Sequence, residues 1–143
     1  FRPHNVYGPN MGNEHVIPEL ILKAKKLKKN KKIIKIKGKG DETRSFIYID
    51  DFAEAFDLLV KRGKHLNIYN IGNLDQITIK KLLLKIIKIL KLRAKIVKTK
   101  IAEGGTSKRC PNIKKILNLG YKKNYNLDEG LSKTIDWYYY GIK

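Results

Sequence analysis

Gly38-Lys39-Gly40-Asp41-Glu42-Thr43-Arg44-Ser45-Phe46-Ile47-Tyr48-Ile49-Asp50-Asp51-Phe52-Ala53-Glu54 changes its hydrophobic period within a few residues. The two glycines close the apolar run that begins at Ile33 and mark a turn. Phe46 to Ile49 is apolar and aromatic, the composition of a buried strand. Asp51 and Glu54 then have the spacing of a helix cap, and Phe52, Ala55, Phe56 and Leu59 fall on one face of the helix that follows. Gly63 stops that helix. A strand, a turn, a strand and an amphipathic helix in this order predict an α/β fold.

The alternation continues on both sides. Upstream, Ile17, Leu20, Ile21, Ala24 and Leu27 space a helix over Val16 to Lys28. Downstream, Leu66 to Ile71 predicts a strand that ends at Gly72-Asn73. Thr78 can cap a helix that runs to Leu92 with Ile79, Leu82, Leu83, Ile86 and Leu90 in one stripe. Lys95 to Ile101 alternates as a strand, and Glu103 to Ser107 is a loop. Asn112 caps a short helix ending at Gly120, and Asn126 with Glu129 forms a capping box for a last helix to Tyr139. No repeat, linker or shift of composition divides residues 1–143, which predicts a single domain.

At 143 residues with 42% hydrophobic content, the chain is long and apolar enough to bury a core despite a net charge of +19. No apolar run approaches the roughly 20 residues of a membrane span. The positive charge is nearly all lysine, spread from Lys23 to Lys133 over the solvent positions of helices. Forked recognition of bases and phosphates favours arginine, so the pattern argues against a specific nucleic-acid role. A basic module that binds nucleic acid or another polyanion without catalysis stays open as the second class. Cys110 is alone and cannot form an internal disulfide, which fits a cytoplasmic protein. His4, His15 and His65 lack metal-ligand spacing. The start, Phe1-Arg2-Pro3-His4, has neither an initiator methionine nor a signal-peptide core, and reads as a fragment or a processed product.

Two positions suggest anion chemistry. The glycine turn delivers Arg44 to the mouth of a strand, and Arg109 follows Gly104-Gly105 just before a helix start. A planar guanidinium forks two phosphate oxygens, and two arginines on separate loops suit a diphosphate. Either arginine alone also fits a solvated surface. Asn5, in the turn Asn5-Val6-Tyr7-Gly8-Pro9, offers a donor and an acceptor to a sugar or phosphate, or fastens its own backbone as an Asx-turn. Asp50-Asp51 reads as a pair of helix-start capping groups, and Trp137-Tyr138-Tyr139-Tyr140 as packing at a helix end.

Five segments in order carry a resemblance. They are Arg2 to Pro9, His15 to Pro18, Gly38 to Asp51, Tyr69 to Asn73, and Leu127 to Tyr138. Together they resemble the extended short-chain dehydrogenases, the NAD-dependent epimerase/dehydratase family of nucleotide-sugar epimerases, dehydratases and decarboxylases. The resemblance implies the C-terminal portion of a Rossmann-type enzyme with its smaller substrate-binding subdomain. It implies that Asn5 touches the diphosphate or sugar, and that Val16 and Ile17 open the helix beside the nucleotide. Lys35, Ile36 and Lys37 would flank the base, Arg44 and Arg109 would bind the diphosphate, and Asn70 would end a strand at the pocket. Arg2 and Pro3 would run past the nicotinamide end of NAD. Lys37 stands where many members place an aromatic residue.

The family's Gly-x-x-Gly-x-x-Gly turn and its Tyr-x-x-x-Lys pair have no match here. The fourth residues after Tyr7, Tyr48 and Tyr121 are Met11, Phe52 and Tyr125. The resemblance therefore implies that the NAD-binding part and the catalytic groups lie upstream of Phe1. The intact enzyme would be a homodimer acting on a nucleoside-diphosphate sugar, and this portion would be inactive alone.

Overall fold

A computed structural model describes residues 1–27, 33–99 and 106–141. The elements follow in the order β1 (Arg2–Pro3), β2 (Val6–Tyr7), α1 (Val16–Lys25), β3 (Ile33–Lys37), β4 (Thr43–Ser45), β5 (Ile47–Tyr48), α2 (Ile49–Arg62), β6 (Asn70–Ile71), β7 (Gln76–Thr78), α3 (Ile79–Ile89), β8 (Lys95–Thr99), β9 (Lys108–Arg109), α4 (Lys114–Asn118) and α5 (Leu127–Ile135). A π-helical turn, Asp136–Tyr140, extends α5.

The strands pair mostly in parallel. β1 pairs with β6, β2 with β5, and β3 with β8 along five residues, from Ile33 opposite Lys95 to Lys37 opposite Thr99. β4 lies between antiparallel β7 and parallel β9. Parallel pairs need crossovers, and helices supply them here. The chain is α/β, as its pattern predicts.

Two apolar clusters form the core. The larger gathers Ile17, Leu20, Ile21, Ile34, Ile36, Leu82, Leu83, Ile86, Leu131 and Ile135 from α1, β3, α3 and α5. The smaller gathers Ile47, Ala55, Ile71, Ile113, Ile116 and Tyr121 under α2. β5 serves both, because neighbouring strand residues point to opposite faces. Ile47 enters the smaller cluster and Tyr48 the larger. That short strand contributes to both clusters.

Local signals produced the helix starts. Thr78 accepts a hydrogen bond from the Lys81 N–H at 3.2 Å, and Asn126 with Glu129 completes the capping box of α5. Three expectations need correction. Leu66 to Ile71 is a strand only at Asn70–Ile71, because its partner β1 is two residues long and Leu66 sits in the left-handed region at φ 57°. A strand exists only where backbone partners it. Asp51 does not cap α2. That helix starts after Tyr48 without a side-chain cap, while Asp51, 1% exposed, accepts hydrogen bonds from the backbone of Asn124 and Tyr125. Phe56 is not buried: it is exposed beside Phe1, with Val60 one turn on. The predicted ends of α1 and β8, Lys28 and Ile101, and the Glu103–Gly105 stretch lie outside the described residues.

Gly130 shows how tightly α5 is seated. A Cβ there would lie 2.2 Å from the Tyr7 hydroxyl and 2.9 Å from the Tyr48 ring. Both rings are packed, Tyr7 edge-on to Phe46 and Tyr48. Gly130→Ala gains helix propensity of about 1 kcal/mol but overpacks by about 1–3 kcal/mol. A net loss of about 0–2 kcal/mol is expected in urea denaturation, and a variant more stable than the parent would contradict this packing.

Candidate functional site

The glycine turn and strand pairing bring the two arginines together. Gly40 occupies the left-handed region at φ 78°, with the Ile36 and Lys80 side chains where a Cβ would go, so glycine is required there. The chain then enters β4, where the register sets Arg44 opposite Arg109 of β9. Both reach Thr106: Arg44 donates to its carbonyl at 2.8 Å, and Arg109 to its hydroxyl at 3.3 Å. Arg44 also donates to the Thr43 carbonyl at 2.8 Å. Among the described residues neither guanidinium has a carboxylate at ion-pair distance. Partial burial, and then the like charge of Arg109, lower the Arg44 pKa, with Glu42 acting in the opposite direction.

Arg44 lines a cleft of about 380 Å³, measured with its open mouth. Asn5, Val16 and Ile17 line it as well, so four of the expected residues converge. Asn5 sits at φ 46°, a region asparagine tolerates better than most residues. Its amide donates to the Ser45 carbonyl at 2.8 Å, which fastens β2 to β4 rather than making an Asx-turn. α1 opens onto the cleft at its N-cap residue, His15, whose side chain makes no capping hydrogen bond. Such a helix start attracts anions. Val6, Tyr7, Met11, His15 and Phe46 complete the lining, and none of these five was singled out from the residues. His15, just before a helix start, carried the only usable signal.

The other expected residues lie elsewhere. Asn70 does not line the cleft: it donates to the Asn112 carbonyl at 2.9 Å and its oxygen meets His4 Nε2 at 3.2 Å. Ile36 is 1% exposed in the larger core, where strand alternation turns its side chain inward and leaves only the strand backbone to flank a base. Lys35 is exposed on the opposite face, and the Lys37 side chain is outside the described set. Arg2 and Pro3 are exposed on β1, away from the cleft. Burial pushes Tyr48 up to about 12 and raises Tyr7, Tyr121 and Tyr138 too, so these phenols stay protonated at neutral pH. No helix is long and apolar enough to cross a membrane among the described residues.

Residues 1–72 match the NAD dependent epimerase/dehydratase family. The chain belongs to this family. It is 31% identical over 141 residues to GDP-L-fucose synthase 1 of Arabidopsis thaliana, covering 95% of this chain and 44% of that protein. It is 34% identical over 144 residues to human dTDP-D-glucose 4,6-dehydratase, covering 96% of this chain and 40% of that protein. Among solved structures it resembles a mutant UDP-glucuronic acid 4-epimerase of Bacillus cereus in complex with NAD and UDP-4-deoxy-4-fluoro-glucuronic acid. That match has a TM-score of 0.87 at 26% identity, covering 99% of this chain and 45% of that one. The chain thus spans less than half the length of these relatives, and the fold is that of Rossmann-type extended short-chain dehydrogenases.

Proposed function

We propose that this chain is the sugar-nucleotide-binding, C-terminal portion of an NAD-dependent nucleotide-sugar epimerase or dehydratase. One observation carries the proposal: Arg44 and Arg109 are held side by side with no carboxylate at ion-pair distance among the described residues, and Arg44 lines a cleft that also receives the start of α1. Two like charges kept together repel, and a bound diphosphate reverses the sign of that interaction. Asn5 offers its amide to the sugar or phosphate from the same wall.

In the whole enzyme this portion orients the substrate, which is a large part of rate enhancement. NAD supplies hydride transfer when bound, and Arg2 and Pro3 are the residues here that would run past its nicotinamide end. Among the described residues no strand–glycine–helix turn cradles a dinucleotide, and the main NAD site would belong to another part of the enzyme. The two-residue parallel pair β1–β6 and the exposed Phe1, Phe56 and Val60 support this placement, since parallel sheets are covered on both faces. We propose a cytoplasmic enzyme that dimerises through that other part. This chain alone is expected to turn over no sugar nucleotide, and NAD-dependent epimerisation by it would overturn that.

The binding test is calorimetry with UDP, dTDP and GDP, their monophosphates, and heparin, at low and moderate salt. One nucleoside diphosphate should bind at least about tenfold tighter than its monophosphate, from one lost charged contact pair. Equal binding of all polyanions, falling steeply with salt, would instead support the polyanion module.

A further inference from the structure

Tyr138 lies in the π-helical turn that extends α5, at the far end of the sequence from the cleft. Leu131, Ile135 and Tyr138 form one stripe at helical spacing, and all three are buried in the larger cluster. A π turn widens the helix by a residue and redirects the side chains beyond it, and such turns concentrate at functional sites. Here it sends the Tyr138 hydroxyl through the core to donate to the Met11 carbonyl. From the other side, Lys25 of α1 donates to the Tyr138 carbonyl at 3.1 Å. Gly141, at φ 76°, ends the turn.

Met11 lines the cleft, in the Gly8–Gly12 loop between β2 and α1. The loop contains Asn10 at φ 56°, a left-handed conformation that asparagine adopts more readily than most residues. Among the described residues, its other recorded loop bonds are local: the Gly8 N–H to Met11 Sδ at 3.4 Å, and the His15 N–H to the Gly12 carbonyl at 3.4 Å. The bond from Tyr138 spans 127 positions. It ties this wall of the cleft to the packed core.

We propose that Tyr138 is a positioning residue for the diphosphate cleft, holding the Met11 loop against the side that Arg44 faces. This rests on the binding role assigned to the cleft above. A loop free to move presents its wall in the right place only part of the time, and affinity falls by that fraction.

The sequence provides its own reporters, with Met11 as its one methionine and Trp137, inside the turn, as its one tryptophan. The test compares the parent chain with Tyr138→Phe, which keeps the ring and removes the hydroxyl, and with Lys25→Leu, which loosens the turn from the α1 side. In protein labelled with 13C at methionine methyls, Tyr138→Phe should move and broaden the Met11 resonance, and Lys25→Leu should do so less. UDP should bind Tyr138→Phe about fivefold more weakly. UDP should also change Trp137 emission in the parent and less so in Tyr138→Phe. An unchanged Met11 resonance overturns the tether. A moved resonance with unchanged UDP affinity, where Arg44→Ala loses UDP, overturns the positioning role and leaves the cleft assignment standing. If the parent binds none of UDP, dTDP and GDP, the cleft assignment fails and the positioning role with it, whereas a moved Met11 resonance would still establish the tether.

Discussion

Asp51→Ala should lower the free energy of unfolding by about 3 kcal/mol, because two backbone N–H groups lose their acceptor at about 1–3 kcal/mol each. Asp51 is 1% exposed in the first turn of α2. Its two oxygens accept from the Asn124 N–H at 2.9 Å and the Tyr125 N–H at 3.2 Å. Those residues lie in the connection between α4 and α5, which has no helix or strand of its own. A connection without ladder partners must satisfy its backbone some other way. Asp51 does that, and Glu54 adds a bond from the Asn124 side chain at 2.5 Å. The carboxylate also favours the start of α2 through the helix dipole, by about 0.3–1 kcal/mol. Asp51→Asn keeps one acceptor oxygen and should lose roughly half as much. Urea unfolding with an unchanged m-value reads the effect as stability alone. An Asp51→Ala variant within about 1 kcal/mol of the parent would mean that water satisfies these N–H groups just as well.

Asp51 also illustrates what the sequence could and could not tell. Asp51 and Glu54 have the spacing of a cap, and spacing is a local property. The carboxylate's partners are 73 and 74 positions away, so no local rule finds them. Thr78 and Asn126 were legible because their partners lie within three residues. Leu66 to Ile71 has strand composition, yet its pairing partner β1 covers only two residues. Composition cannot count partners, so that strand came out too long. The same divide runs through the cleft. Arg44 and Arg109 were each legible as phosphate ligands, but their adjacency depends on the parallel register of β4 and β9. The residues alone suggested that both could serve one diphosphate, and the resemblance implied the same, but neither gave the register. Ile36 was read as part of a segment, and only alternation along β3 tells its inward side chain from the outward Lys35. Met11 and Phe46 have no chemistry that marks them; the fold alone puts them in the wall.

Arg44→Ala should weaken binding of the preferred nucleoside diphosphate about 100-fold, the loss of two charge-assisted hydrogen bonds at about 1.5 kcal/mol each. Arg109→Ala should weaken it about tenfold, since Arg109 is exposed and its attraction is screened by solvent. The two variants should part company in the unliganded protein. Arg44 bridges Thr43 and Thr106 through their carbonyls, so its removal loosens β4 from the loop before β9 and lowers the melting temperature slightly. Among the described residues the Arg109 guanidinium makes one bond, to the Thr106 hydroxyl at 3.3 Å, and its like charge adds to the burial that lowers the Arg44 pKa. Removing it relieves that repulsion, so Arg109→Ala should melt no lower than the parent while binding worse. A residue that weakens binding when removed and does not stabilise the free fold is there for the ligand. Because both arginines share Thr106, the double variant should lose less than the sum of the single losses. Calorimetric titration beside thermal melts measures both quantities on the same preparations. If Arg109→Ala melts several degrees below the parent and binds UDP, dTDP and GDP as the parent does, the arginine pair is a structural clasp and the diphosphate assignment falls.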